Sequence, residues 1–297
     1  MIFRTEFKSE KSRLRLDPEK PVVMCGSCFT QNIAAKMNSC LWKAVNPLGT
    51  LYNPESIGLA IDMMTDGEEG VRRFEKSLFQ SNGIWNSWRF DSSFSSPDKE
   101  NCIKEFRLRQ KEFVENFREG KTLIVTFGTS ICYYEAEKDQ LVANCHKLPA
   151  NCFRERRLKT GDVFIFWHVL GETLKERFGE YKIIFTVSPV RHLKNGFAGN
   201  SKSKAVLLLG IEEICGYDEN CFYFPAFEIM NDDLRDYRFY ADDMCHPSEV
   251  AVDYIWDKFV ETYVDDKGQL SLKEGEAKVK ASLHRPKTGA LGLPLQS

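Results

Sequence analysis

The sequence lacks any long apolar run. AVLLLGI, residues 205–211, is among the longest, and a membrane-spanning helix needs roughly 20 such residues. The opening MIFRTEFKSEKSRLRL lacks the apolar stretch of a signal peptide. Excess charge of either sign is missing too: 41 Lys and Arg stand against 43 Asp and Glu, a net charge of −2. A chain so balanced has no electrostatic reason to seek nucleic acid or an anionic membrane. Histidine is scarce, at five residues. No internal repeat is visible. These absences predict a cytoplasmic protein, and nothing in the sequence signals its oligomeric state. The ten cysteines are scattered rather than grouped as a disulfide framework. In a reducing compartment they are expected as thiols, mostly small apolar packing residues.

With 297 residues, 42% apolar and 28% charged, the chain suffices for one large packed domain. Apolar, β-rich runs recur: PVVMCG, WKAVNPLG, TLIVTFGTS, KIIFTVSPV and CFYFPAF. Helical patterns separate them, at Gln31–Asn38, after Asn53-Pro54, and at Asp98–Glu119, Thr160–Gly179 and Ser201–Glu213. A last helix is predicted over Pro247–Val264, with Val252, Ile255, Trp256, Phe259 and Tyr263 inward. Asn53 suits an N-cap with Pro54 at the first helical position, and Gly120 suits the residue after a helix. Residues 67–98, rich in aromatics and turn formers, read as a loop insertion. Residues 130–146 read as a β-hairpin insertion. One domain over residues 1–266 is expected, followed by a polar tail over 267–297. Strands alternating with helices imply an α/β fold with a parallel sheet covered on both faces. Sites in such folds lie beyond the carboxyl ends of the strands.

Ser27, in VVMCGSCFT, follows the first strand directly. It suits a nucleophile raised on a sharp turn at Gly26, and equally an ordinary helix cap. Asp243 and His246, in YADDMCHPSEVA, lie just before the last helix. A carboxylate three residues before a histidine can hold its Nδ1–H and leave Nε2 free as a base. Gly49, in NPLGT, can present a bare backbone N–H to an oxyanion, or simply make a turn. Asn144 and His146, in NCHK, are candidates for a side-chain amide donor and a substrate-binding imidazole. Arg191 and His192 read as peripheral, His168 as a core or boundary residue, and His284 as a tail residue.

In order along the chain stand GSCF, NPLGTLYNP, a TFG strand, NCHK, TVSPVRH with a later SK, and DDMCHPS. This series resembles the GSCFA family, itself similar to the SGNH (GDSL-like) hydrolases. The resemblance runs from FRTEF near the start to HRP in the tail. It implies a flavodoxin-like three-layer α/β/α sandwich with a five-stranded parallel sheet. It implies Ser27 as nucleophile, His246 as base and Asp243 as its orienter. The oxyanion hole would be Ser27, Gly49 and a third donor. SGNH enzymes supply that donor from Gly-x-Asn after strand three, where this chain has Gly128-Thr129-Ser130. Ser130 or Asn144 is left to fill the role. A histidine is expected near FDSSFS, where this chain has Asp91.

The expected activity is hydrolysis of an acyl or carbohydrate ester through an acyl-enzyme, with no metal or cofactor. Three other readings compete. Cys25-x-x-Cys28 between strand and helix fits a redox pair. Cys25, Cys28, Cys145-His146 and Cys245-His246 offer mixed zinc ligands, although adjacent Cys-His pairs rarely point at one ion. A non-catalytic binding protein on the same fold is the last.

Overall fold

A computed structural model of the chain describes residues 4–283. Five parallel strands form its central sheet, in the order β10-β9-β5-β1-β2. They are β1 (Val22–Gly26), β2 (Ala44–Val45), β5 (Thr122–Phe127), β9 (Lys182–Val187) and β10 (Cys221–Phe224). By rank along the chain the order is 2-1-3-4-5, the flavodoxin-like arrangement, as expected. Period-two alternation sets the layers. Val23 and Cys25 of β1 join one core cluster, whereas Val22 and Met24 join another on the opposite face.

The first face packs against α2 (Pro54–Thr65), α3 (Gly67–Lys76), α4 (Lys99–Gly120), α5 (Thr160–Phe178) and α6 (Gly196–Tyr217). The second packs against α1 (Cys28–Ser39), the short α7 (Ala226–Glu228) and α8 (Glu249–Tyr263). Val252, Ile255, Trp256, Phe259 and Tyr263 of α8 are all buried there. Each such side chain contributes roughly 1.5–3 kcal/mol when fully removed from water. None of the helices among the described residues is long and apolar enough to cross a membrane.

Several expectations need correction. Residues 67–98 are not a loop. They hold α3 and a hairpin of β3 (Leu78–Ser81) and β4 (Ile84–Ser87). A Cβ on Gly70 would lie 1.9 Å from Met63 O, so glycine lets α2 and α3 approach. Asn82 and Gly83, both at positive φ, turn the hairpin, which is the Asn-Gly turn signal. The 130–146 hairpin is larger than expected. β6 (Ile131–Glu135) pairs with β7 (Leu141–Val142) and also with β8 (Phe153–Arg157).

The first helix starts at Cys28 rather than Gln31. Helix α4 includes Gly120 and turns left-handed at Lys121, φ 54°. Gly120 instead lets Pro21 O come close, where a Cβ would sit 1.7 Å away. The tail opens with α9 (Asp266–Leu283), whose Leu272 is buried in the second core. His284 and the rest of the tail lie outside the described residues.

Candidate active site

The strand order reverses between β1 and β5, which is where open α/β sheets build their sites. Gly26 ends β1 at φ +132°, and a Cβ there would fall 2.2 Å from Thr126 O on β5. Only glycine fits so close an approach. Ser27 follows in extended conformation, and its N–H donates to Thr126 O at 3.2 Å. It occupies the N-cap of α1, but its side chain caps nothing. The residue is 2% exposed, and its Oγ is buried with no hydrogen-bond partner. Gly128 closes over it: a Cβ on Gly128 would be 3.4 Å from Ser27 Cβ.

The segment after β2 runs alongside. Leu51 N–H donates to Gly26 O at 3.0 Å, and Tyr52 O accepts from Gly128 N–H at 2.7 Å. Gly49 has φ +71°, and a Cβ on it would lie 2.7 Å from each Asp91 carboxylate oxygen. Asp91 accepts from Thr50 N–H at 2.7 Å and from Ser93 N–H at 2.9 Å. A negative charge thus adjoins the expected oxyanion donor.

The other expected donors are differently engaged. Ser130 N–H and Oγ–H both donate to Ser203 Oγ, at 2.8 and 3.1 Å, and the residue is fully buried. Asn144 Oδ1 accepts from His146 N–H at 2.8 Å. His146 Nε2 lies 2.8 Å from Ser87 O, and its ring meets Phe79 edge-on at 5.6 Å. That imidazole ties its loop to the β3–β4 hairpin. Burial pushes its pKa below the ordinary value.

Asp243 and His246 do pair. His246 Nδ1 and Asp243 Oδ2 are 2.5 Å apart, while Asp243 Oδ1 accepts from the His246 and Cys245 N–H groups at 2.9 Å each. These bonds, led by the His246 N–H, hold the Asp243 carboxyl down at about 2. Both side chains are about half exposed, at 48% for His246 and 50% for Asp243. Arg191 fastens the loop: its N–H donates to Cys245 O at 3.1 Å, and its guanidinium lies 4.1 Å over the Tyr240 ring.

The sequence reading gave no role to Lys204, which is 1% exposed. Its Nζ donates to Gly128 O at 2.8 Å and Ser188 O at 2.7 Å, bridging the ends of β5 and β9. Burial pulls its pKa down to about 7. A signal was present. Lys204, Leu207, Ile211 and Ile214 are all buried on α6, so a lysine stands at an apolar-face position of a helix. The adjacent His192 is also shifted down, by burial first and then by the charges of Lys204 and Lys194.

Ser27, Cys28, Tyr52, Gly128 and Lys204 therefore form one cluster. Burial raises the Cys28 thiol above its ordinary value, against smaller lowering effects of the Phe29 and Cys28 N–H groups and of Lys204. Ser27 Oγ and His246 are not hydrogen-bonded to each other. Cys25 is fully buried and its thiol is pushed far up by burial, which argues against a Cys25–Cys28 redox pair. Among the described residues, no three His, Cys, Asp or Glu side chains gather to hold a metal ion. The proposed zinc set therefore does not converge.

Fold and site together define an α/β sandwich with its polar groups gathered at the carboxyl ends of the strands. The model of the GSCFA family matches residues 21–259, and the chain belongs to that family. Comparison with curated proteins gave no match.

Proposed function

We propose that this protein is an acyl hydrolase of the SGNH type, cleaving a small acyl or carbohydrate ester. The observation that carries this is the Asp243–His246 pair. Asp243 holds Nδ1 at 2.5 Å, which leaves Nε2 as the base. The Gly26–Cys28 turn supplies the nucleophile, Ser27 on sequence alone. The nucleophile attacks the ester carbonyl, His246 takes its proton and returns it to the leaving alcohol, and water then cleaves the acyl-enzyme. Gly49 N–H and the Asn144 amide serve the oxyanion. Lys204 supports the turn from the core side, donating to Gly128 O and Ser188 O.

A panel of short-chain and sugar acyl esters tests this proposal. Turnover is expected in the intact protein and lost in His246→Ala. The second reading, a non-catalytic binding protein, draws on Asp91. Its carboxylate lies against Gly49, the residue expected to serve the oxyanion. No turnover on any ester of the panel would favour that reading.

A further inference from the structure

The loop that pairs Asp243 with His246 contains a strained residue. Met244 stands at φ 56°, in the left-handed region, where Cβ crowds the following carbonyl. It is a methionine, 46% exposed, with no side-chain chemistry that favours this turn. A residue of that kind keeps such a conformation only where its surroundings impose it. Part of the constraint lies within the loop. Met244 N–H donates to Ala241 O at 2.9 Å, and Ala241 N–H donates to His246 O at 2.8 Å.

The rest comes from Arg191, which lies shortly after β9. Its Nη1 donates to Met244 O at 3.3 Å, and its main-chain N–H donates to Cys245 O at 3.1 Å. The guanidinium is itself fixed, 4.1 Å over the Tyr240 ring and 4.9 Å over the Tyr237 ring. The two carbonyls it holds belong to consecutive peptide groups, and each peptide group is planar. The N–H ends of those same two planes are the Cys245 and His246 N–H groups. Both donate to Asp243 Oδ1 at 2.9 Å. Arg191 therefore grips the carbonyl side of two planes whose amide side seats Asp243. Asp243 Oδ2 in turn holds His246 Nδ1 at 2.5 Å.

We infer that Arg191 is a positioning residue of this site: by holding Met244 in its left-handed conformation, it aims two amide groups at Asp243 and so fixes the tautomer of His246. The consequence for turnover rests on the acyl-hydrolase reading of the site, whereas the consequence for the imidazole does not. An imidazole without a partner prefers its proton on Nε2. Asp243 draws the proton to Nδ1 and leaves Nε2 bare, as a general base requires. Without the Arg191 side chain, Met244 relaxes, the two amide groups turn away, and Asp243 loses its seat.

The test reads the His246 tautomer from ring-nitrogen NMR shifts in the full chain, labelled at histidine and kept at a pH where the ring is neutral. Turnover on p-nitrophenyl acetate is measured beside it. The intact protein should carry the proton on Nδ1. Arg191→Ala removes the Nη1 bond and the stacking but keeps the main-chain N–H. It should move the proton to Nε2 and lower turnover about 10²-fold. Adding Met244→Gly lifts the steric cost of the left-handed position, and should return the proton to Nδ1 with most of the turnover. Arg191→Lys keeps the charge but lacks the planar fork. It should behave as the alanine variant does, and replaces it if that variant does not fold. A proton on Nε2 in the intact protein would overturn the inference. So would an unchanged tautomer in the Arg191 variants, or a loss that Met244→Gly does not reverse. Loss and recovery of the Nδ1 proton in a chain that turns over no ester would uphold the role of Arg191 and overturn the hydrolase reading.

Discussion

The site has two halves built on different principles. The inner half, from Gly26 to Cys28 with Gly128 and Lys204, is held by close backbone contact and core packing. The outer half, from Asp243 to His246, is a half-exposed loop held by its own hydrogen bonds. Residues in the inner half can barely move without disturbing the sheet. Those in the outer half lie at the surface, and no bond joins His246 to Ser27 Oγ. The contrast separates stability from chemistry: changes within should cost folding, and changes outside should cost turnover alone.

Gly26→Ala should have the largest effect. The new Cβ would meet Thr126 O at 2.2 Å from a φ of +132°. A loss of at least about 4 kcal/mol is expected, read as missing folded protein or a collapsed thermal midpoint. A normal melting curve would break the distinction between the halves. His246→Ala is the counterpart outside. Turnover on a responsive ester should fall about 10³-fold, with urea stability unchanged within about 0.5 kcal/mol. A large stability loss in that variant would mean the loop is structural.

Lys204→Met sharpens the comparison through pH. The folded protein releases the Lys204 proton at about 7, against 10.5 for an ordinary lysine. Between those values the unfolded chain holds a proton that the folded one lacks. Wild-type stability should therefore rise with pH across this window, by up to about 1.4 kcal/mol per unit from this group. In Lys204→Met that part of the slope disappears. The variant also leaves Gly128 O and Ser188 O without their donor, at about 1–3 kcal/mol each. Urea midpoints at pH 7, 8 and 9 measure both effects. An unchanged slope would place the lysine charge elsewhere.

Asp91→Asn should have the smallest effect. It removes a negative charge beside Gly49 while keeping an acceptor for Thr50 N–H. Turnover should rise roughly fivefold, or about 1 kcal/mol in the barrier. A fall instead would give the carboxylate a positive role in the reaction.

Much of the frame was legible. The five sheet strands, the cap at Asn53, and the apolar face of α8 all follow from local pattern. Each depends on residues a few positions apart. Asp243 and His246 were legible for the same reason, since three residues and one loop suffice to pair them. The misread places have another cause. Gly120 read as the residue after a helix, yet it lies within α4 and admits Pro21 O, a neighbour distant in sequence. The Asn82-Gly83 turn carried its own signal and was lost among the aromatics of the insertion. His146 looked like a binding residue because nothing local revealed that Ser87 O takes its ring nitrogen.

The sequence by itself determined the alternation of strands and helices, the turn at Gly26 and the Asp-x-x-His pair, because those rest on short-range periodicity and sterics. Only the tertiary structure decided that Ser27 is sealed, that Lys204 bridges the ends of β5 and β9, and that Asp91 reaches Thr50 across 41 residues. Burial and charge at those points come from segments far apart in the chain, brought together only when the two apolar faces of the sheet are covered.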